Sequence, residues 1–315
     1  MEPSTDINIK THTIEQWTKS TKLLNAKQLL SRGIFPDACS SCRIDESLGK
    51  VSMRQRPEHY GPGISHLDIR FSNQCNLRCN MCNPSSSSSI MQEHKSLGKT
   101  SPWIEIDSTD YNWYSEEAVK QITSISTLRE IYLTGGEPFM VKNLDKFINK
   151  LDRNIKLRFN TNGTLYNKKL LDILKEFNYV NMCYSIDGVG SVNDYIRYGS
   201  KFSEIINNLE IAIDCGFDVS VSPTVQILNV LRMDEYNDYF ARYNIKIYEN
   251  ILSHPSYLSL NNSNEKHRQD IKNYSMGEYV NETTMFINSV KTLDKNRAIN
   301  ILDYLPELGQ YYDFS

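Results

Sequence analysis

The chain lacks any run of apolar residues approaching the roughly 20 needed to cross a bilayer, so no membrane span is expected. It also lacks a large excess of charge of either sign. Its 35 Lys and Arg stand against 38 Asp and Glu, a net charge of −3. That balance argues against a broad nucleic-acid surface, which would need a strongly basic face. The start, Met1-Glu2-Pro3-Ser4-Thr5-Asp6, has no basic and then apolar stretch of the kind that directs secretion. Without such a signal, the seven cysteines read as reduced thiols or metal ligands, and the expected location is cytoplasmic. Internal repeats longer than a strand–helix unit are absent too. What is present is an ordinary globular composition, 39% hydrophobic and 23% charged over 315 residues. That is enough chain to bury a sizeable core in one large domain or two.

Three of the cysteines fall together in Cys75-Asn76-Leu77-Arg78-Cys79-Asn80-Met81-Cys82, a C-x3-C-x2-C cluster that follows the apolar run ending at Phe71. Three thiolates so spaced suit three irons of an iron–sulfur cubane, because cysteine thiolates are the usual holders of such clusters. Three ligands in place of four leave one iron open, and an open position is where a substrate or cofactor binds. A zinc site would want a fourth Cys or His nearby, and the next one downstream is His94 in a polar segment. A disulfide framework fails on compartment and on spacing.

From residue 66 onward, short β-branched runs alternate with helix-length amphipathic stretches, the pattern of parallel βα units. Strands are expected over 67–71, 130–133, 156–159, 180–184, 218–225 and 246–251. Helices are expected over 143–151, 168–177, 203–214 and 233–242, with another around 14–30 and a last amphipathic region over 279–305. The chemically suggestive residues all fall just after strands: the cysteine triplet, Gly135-Gly136-Glu137-Pro138, Asn160-Thr161-Asn162-Gly163, Ser185-Ile186-Asp187-Gly188, and 226–229. In parallel βα architectures ligands gather at those carboxyl ends. The two glycines before Glu137 permit close backbone approach, and Glu137 offers a carboxylate for a charged donor. Asn, Ser and Asp at these positions are also ordinary turn residues, and Asp187 reads as a helix cap. Ser85–89 reads as a flexible solvated loop, and Cys183 and Cys215 as core residues.

The triplet resembles the signature of the radical S-adenosylmethionine enzymes, and the similarity runs along most of the chain. The resemblance implies an α/β fold, a partial (β/α)6 TIM-like barrel over 65–252, preceded by a cysteine-containing region (1–64) and followed by flanking helices (253–315). It implies a 4Fe–4S cluster on Cys75, Cys79 and Cys82, with S-adenosylmethionine chelating the fourth iron. In the family an electron from the cluster cleaves the sulfonium to a 5′-deoxyadenosyl radical, which abstracts hydrogen from substrate. Residues 135–138 match the family's GGEP motif, which places the methionyl ammonium at Glu137. Met81 stands where the family has an aromatic residue and would pack beside the adenine. Ser185 and Arg197 would meet the methionyl carboxylate, and Asn160 and Asn162 the ribose or carboxylate. A flavodoxin- or ferredoxin-type electron donor is implied as partner.

Cys39 and Cys42, with Glu46, Gly49, Ser52 and Arg54, resemble a segment of the SPASM and twitch-type subgroup, where further cysteines complete an auxiliary iron–sulfur cluster. The stretch that precedes it in such proteins has no counterpart ahead of Glu15-Gln16-Trp17 in this sequence. An auxiliary cluster, zinc and reduced thiols all stay open for the pair. Subgroup resemblance favours oxidation or modification of a peptide, protein or small molecule. An activase that installs a glycyl radical, and a non-catalytic iron–sulfur sensor or scaffold, are the alternatives.

Overall fold

A computed structural model describes residues 12–55, 63–99 and 114–314. The amino-terminal sequence read for a secretion signal lies outside the described residues, as does most of the Gly61-Pro62-Gly63 turn.

Among the described residues eight strands follow in order: β1 (His66–Arg70), β2 (Glu130–Thr134), β3 (Lys156–Thr161), β4 (Val180–Tyr184), β5 (Asp218–Val221), β6 (Thr224–Val225), β7 (Lys246–Ile247) and β8 (Asn250–Ile251). Six form one sheet in the order β1-β2-β3-β4-β5-β7, every neighbouring pair parallel. This is the open, six-stranded α/β barrel wall expected, and the sheet does not close on itself. The last two expected strands are each broken. Pro223 has no N–H to continue a ladder, so β5 stops at Val221 and resumes as β6. The neighbouring strand breaks at the same height, and β6 pairs with β8 in a separate two-stranded sheet.

The helices are α1 (Ile14–Thr18), α2 (Thr21–Ser31), α3 (Ser40–Ser47), α4 (Ser88–Ser96), α5 (Glu116–Thr123), α6 (Leu144–Asn149), α7 (Lys168–Leu174), α8 (Ser191–Ile196), α9 (Phe202–Asp214), α10 (Met233–Ala241), α11 (Glu265–Asp270), α12 (Thr283–Arg297) and α13 (Ile301–Tyr304). The helix expected around 14–30 is two. Ser20 accepts from the Leu23 N–H and so starts α2 afresh, because a serine at that position satisfies a donor the helix end leaves bare. Its apolar residues are not core either: Trp17 and Leu24 are about half exposed.

Strict alternation along the strands sorts the sheet into two faces. Ile131, Leu133, Leu157, Phe159, Val180, Met182, Val219 and Val221 are buried in one core with the apolar stripes of α5, α6, α7, α9 and α10. Each such side chain contributes about 1.5–3 kcal/mol by leaving water. The other face carries Asp68, Tyr132, Arg158, Asn160, Cys183 and Ser220, in register across five strands. Cys183 is therefore half-buried on the polar face and not a core residue, and Cys215, which ends α9, is half-buried as well. A second apolar cluster joins α8 and the residues after β6 to the C-terminal segment through Phe286, Val290, Ile301, Leu305 and Leu308.

Candidate active site at the strand ends

The cysteine loop leaves β1 through Phe71, whose ring lies in the core against Phe147 at 5.8 Å. Leu77, with no exposed surface, plugs the loop into the protein. Cys75 and Cys79 are buried and Cys82 is half-buried. The loop is then tied down by the segment expected to be a flexible serine run. Ser87 caps α4 by accepting from the Ile90 N–H at 3.2 Å and donates to the Leu77 carbonyl at 2.8 Å. Ser88 accepts from the Cys75 N–H at 3.2 Å and donates back to its carbonyl, and Ser89 donates to that same carbonyl at 2.7 Å. The run is thus a helix start pinned to the first cysteine. The hydroxyls of Ser87, Ser88 and Ser89 are spent on backbone groups that burial takes from water.

The GGEP turn is built against the other side of the same loop. The Gly136 N–H donates to Ser72 O at 3.0 Å and the Glu137 N–H to Gln74 O at 2.6 Å. A Cβ on Gly136 would stand 2.1 Å from Gln74 O, so only glycine fits. Gly135 has φ +121°, the left-handed region that favours glycine. The Glu137 side chain is 1% exposed. Its carboxylate accepts from the Phe139 N–H (3.0 Å), the Thr161 hydroxyl (2.8 Å) and the Asn162 N–H (2.7 Å). Burial outweighs these donors and pushes its pKa up to about 7. A carboxylate has about four acceptor directions, so one remains for a further donor. Pro138, also buried, opens the turn that follows.

Asn162 and Arg197 reach the sulfurs. Asn162 Nδ2 lies 3.8 Å from Cys75 Sγ and donates to Asn76 Oδ1 at 2.9 Å. Arg197 Nη1 lies 3.9 Å from Cys79 Sγ, and its Nε pairs with Asp187 Oδ2 at 2.8 Å. Burial opposes the Arg197 charge, but Asp187 and the two thiols Cys79 and Cys82 outweigh it and raise its pKa. Asp187 is no helix cap. Gly190 precedes α8, and Asp187 is wholly buried between Arg197 and the Thr224 N–H at 2.6 Å. Asn160 and Ser185 stand half-buried at the ends of β3 and β4, their side-chain polar groups without a hydrogen bond among the described residues. Met81 packs between the cysteine loop and the second apolar cluster.

The donor set fits the cluster and cofactor that the motif implies. Burial pushes the Cys75 thiol up to about 11. A thiol bound to iron is deprotonated outright, and the Asn162 amide and Arg197 guanidinium are placed to donate to such sulfurs. Among the described residues no three His, Cys, Asp or Glu close round a single ion. A cubane binds each thiolate through its own iron, so its ligands need not converge on one point.

Cys39 and Cys42 lie elsewhere, at the start of α3, both half-buried. Among the described residues no third ligand joins them. The residues that accompany them have structural partners: Glu46 accepts from Ser52 at 2.6 Å and from Arg54 at 2.5 Å, and Gly49 follows α3 with φ +72°.

Residues 69–238 match the model of the Radical SAM superfamily, more than half of the chain, and the chain belongs to that superfamily. Membership implies a 4Fe–4S cluster and S-adenosylmethionine, and makes this a radical S-adenosylmethionine enzyme. Among curated proteins, the GTP 3′,8-cyclase of Synechocystis sp. is 28% identical over 185 residues, 58% of this chain and 49% of the relative. That of Desulforamulus reducens is 28% identical over 197 residues, 59% and 53%. The chain spans about half the length of these relatives. The solved structure described as native anSMEcpe with bound AdoMet and Cp18Cys peptide aligns over 76% of this chain and 63% of its own, at 16% identity and TM-score 0.48. Streptococcus suis SuiB aligns over 97% and 67%, at 16% identity and TM-score 0.44. No helix among the described residues is long and apolar enough to cross a membrane.

Proposed function

We propose that Cys75, Cys79 and Cys82 hold the catalytic 4Fe–4S cluster, and that the carboxyl ends of β1 to β4 hold S-adenosylmethionine beside it. When bound, the pair supplies one-electron cleavage of the sulfonium and hydrogen abstraction from a substrate C–H bond. The substrate is a peptide, protein or small organic molecule presented to the polar face of the sheet, and the reaction is an oxidation or modification. Glu137 takes the methionyl ammonium on its remaining acceptor site. Ser185 and Arg197 meet the methionyl carboxylate, Asn160 and Asn162 the ribose or carboxylate, and Met81 the adenine. A flavodoxin- or ferredoxin-type protein is the electron donor.

One observation carries this reading: three thiols on one loop, with the Asn162 and Arg197 donors aimed at the sulfurs of Cys75 and Cys79. A cluster that merely sits in a protein needs no such set of free polar groups at neighbouring strand ends. The test is anaerobic reconstitution with iron and sulfide. About four irons per chain, an EPR signal perturbed by S-adenosylmethionine, and 5′-deoxyadenosine formed under reduction are the expected results. All three should be lost in Cys75→Ala/Cys79→Ala/Cys82→Ala. Iron that ignores S-adenosylmethionine would return the chain to a sensor or scaffold. A second cluster on Cys39 and Cys42, and with it the SPASM or twitch subgroup, would need ligands beyond this pair; it predicts extra iron that vanishes in Cys39→Ala/Cys42→Ala.

A further inference from the structure

Arg297, the last residue of α12, lies more than 200 residues downstream of the loop it touches. It is buried beside Glu93 of α4, each side chain 1% exposed. Its Nε donates to Glu93 Oε1 at 2.9 Å and its Nη2 to Glu93 Oε2 at 2.8 Å, a two-point grip that only a guanidinium makes. Burial alone would raise the Glu93 carboxyl, but the Arg297 bonds and charge, aided by Arg78, hold it below the usual range. The remaining donors go to the cysteine loop. Nη1 donates to Asn80 Oδ1, and Nη2 to the Arg78 carbonyl at 2.8 Å. Those two residues flank Cys79.

The same two residues are also held by backbone bonds. The Arg78 N–H donates to Tyr198 O at 2.9 Å, and the Asn80 N–H to Ile196 O at 2.8 Å. The Arg78 and Arg297 guanidiniums both lie against the Tyr198 ring, 4.6 and 4.7 Å from its centroid, and the Tyr198 hydroxyl donates to Arg297 O at 3.1 Å. Cys79 therefore sits in a segment held at both of its flanking residues, and Arg197, in the strip that makes the backbone bonds, is the residue whose Nη1 approaches its sulfur.

We propose that Arg297, acting with Glu93, is a positioning residue for the cluster loop: it fixes the Arg78–Asn80 segment and so the place of Cys79. This rests on the assignment of Cys75, Cys79 and Cys82 as cluster ligands. A buried ion pair contributes little to stability compared with apolar side chains of similar volume. Stability thus gives no sufficient reason for a charge pair at this spot, whereas fixing the groups on either side of a metal ligand does. Partners behind metal ligands affect retention strongly, by roughly 10- to 100-fold in affinity.

The decisive variant is Arg297→Met/Glu93→Leu, which leaves no lone charge buried. Its expected behaviour is apo-protein melting close to wild type, with the reconstituted cluster surrendered to a chelator roughly 10- to 100-fold faster and a shifted EPR spectrum of the reduced cluster. Arg297→Lys keeps the charge without the fork and should also release faster. Tyr195→Phe is the control. It cuts another buried tie of α12, Tyr195 Oη to Asp294 Oδ1 at 2.9 Å, a bond that does not involve the loop, and should hold its cluster like wild type. Wild-type release and spectrum in the double variant would overturn the proposal. Should that variant not fold, Asn80→Ala decides, since it keeps the ion pair and removes the Asn80 half of the grip, leaving only the bond to the Arg78 carbonyl; unchanged release there would also overturn the proposal. If wild-type protein takes up no iron, the assignment of the ligands has failed instead.

Discussion

Gly136→Ala tests whether the GGEP turn and the cysteine loop are one mechanical unit. The new methyl would stand 2.1 Å from the Gln74 carbonyl oxygen and 2.6 Å from the carbonyl carbons of Asn73 and Gln74. Ordinary contact begins near 3.4 Å, so backbone must yield by more than an ångström. Both obstructing groups are main chain, and neither can swing aside as a flexible side chain would. Overpacking of this kind costs about 1–3 kcal/mol. The Glu137 N–H to Gln74 O bond lies in the path of the movement, and its loss adds about 1 kcal/mol. The expected destabilisation is thus about 2–4 kcal/mol. Because Gln74 precedes Cys75, the displacement passes to the first of the proposed cluster ligands. Chemical unfolding of the apo protein measures the first effect and iron per chain after reconstitution the second. Gly216→Ala is the comparison, since its φ is +79° but nothing lies within 4 Å of a Cβ there; it should cost about 1–2 kcal/mol and leave iron uptake intact. A Gly136→Ala protein with wild-type stability and a full cluster would refute the idea that the two loops are packed backbone to backbone.

Two further outcomes follow from the same geometry. Ser87→Ala loses the cap of α4 and the bond to Leu77 O, so unfolding free energy should drop by about 1–2 kcal/mol; a change below a few tenths would mean that water replaces both bonds. His267 has no exposed surface, and burial holds its pKa down at about 4 against an ordinary 6.5. A base with a depressed folded pKa contributes stability that is whole above the unfolded value and is lost as pH falls through the folded one. Wild type should therefore lose about 3 kcal/mol between pH 6.5 and 4 from this residue, and His267→Gln should lose correspondingly less. Equal pH slopes for the two proteins in urea titrations would count against it.

The parts of the site that were legible in the sequence are those whose meaning is local. The spacing of Cys75, Cys79 and Cys82, the paired glycines before Glu137, and the recurrence of polar groups after strands can each be read within a few residues, and the fold brings these motifs to the ends of neighbouring parallel strands. The parts that were not legible depend on chain returning from far away. Nothing near Arg297 says that its partners are Glu93 and Asn80. Asp187 has the composition of a turn residue, and only the approach of Arg197 and Thr224 makes it a buried counter-ion. The serine run misleads in another way. Five identical polar residues carry no periodicity, and what fixes Ser87, Ser88 and Ser89 is a set of backbone groups in the preceding loop that need partners.

The residues between the cysteines carry that argument further. Leu77 fills the core below the loop, and Asn76 bonds to Asn162 and Thr164 at the end of β3. Arg78 lies over Tyr198, and Asn80 meets Arg297. Met81 packs against the C-terminal apolar cluster. Each spacer is directed to a different element, so the loop is fixed from several directions at once. A loop of three thiols held only by its metal would collapse or rearrange when the metal left. This one has side-chain and backbone anchors independent of any metal, so the fold itself places the three thiols, and a cluster bound there would meet a lowered ordering cost.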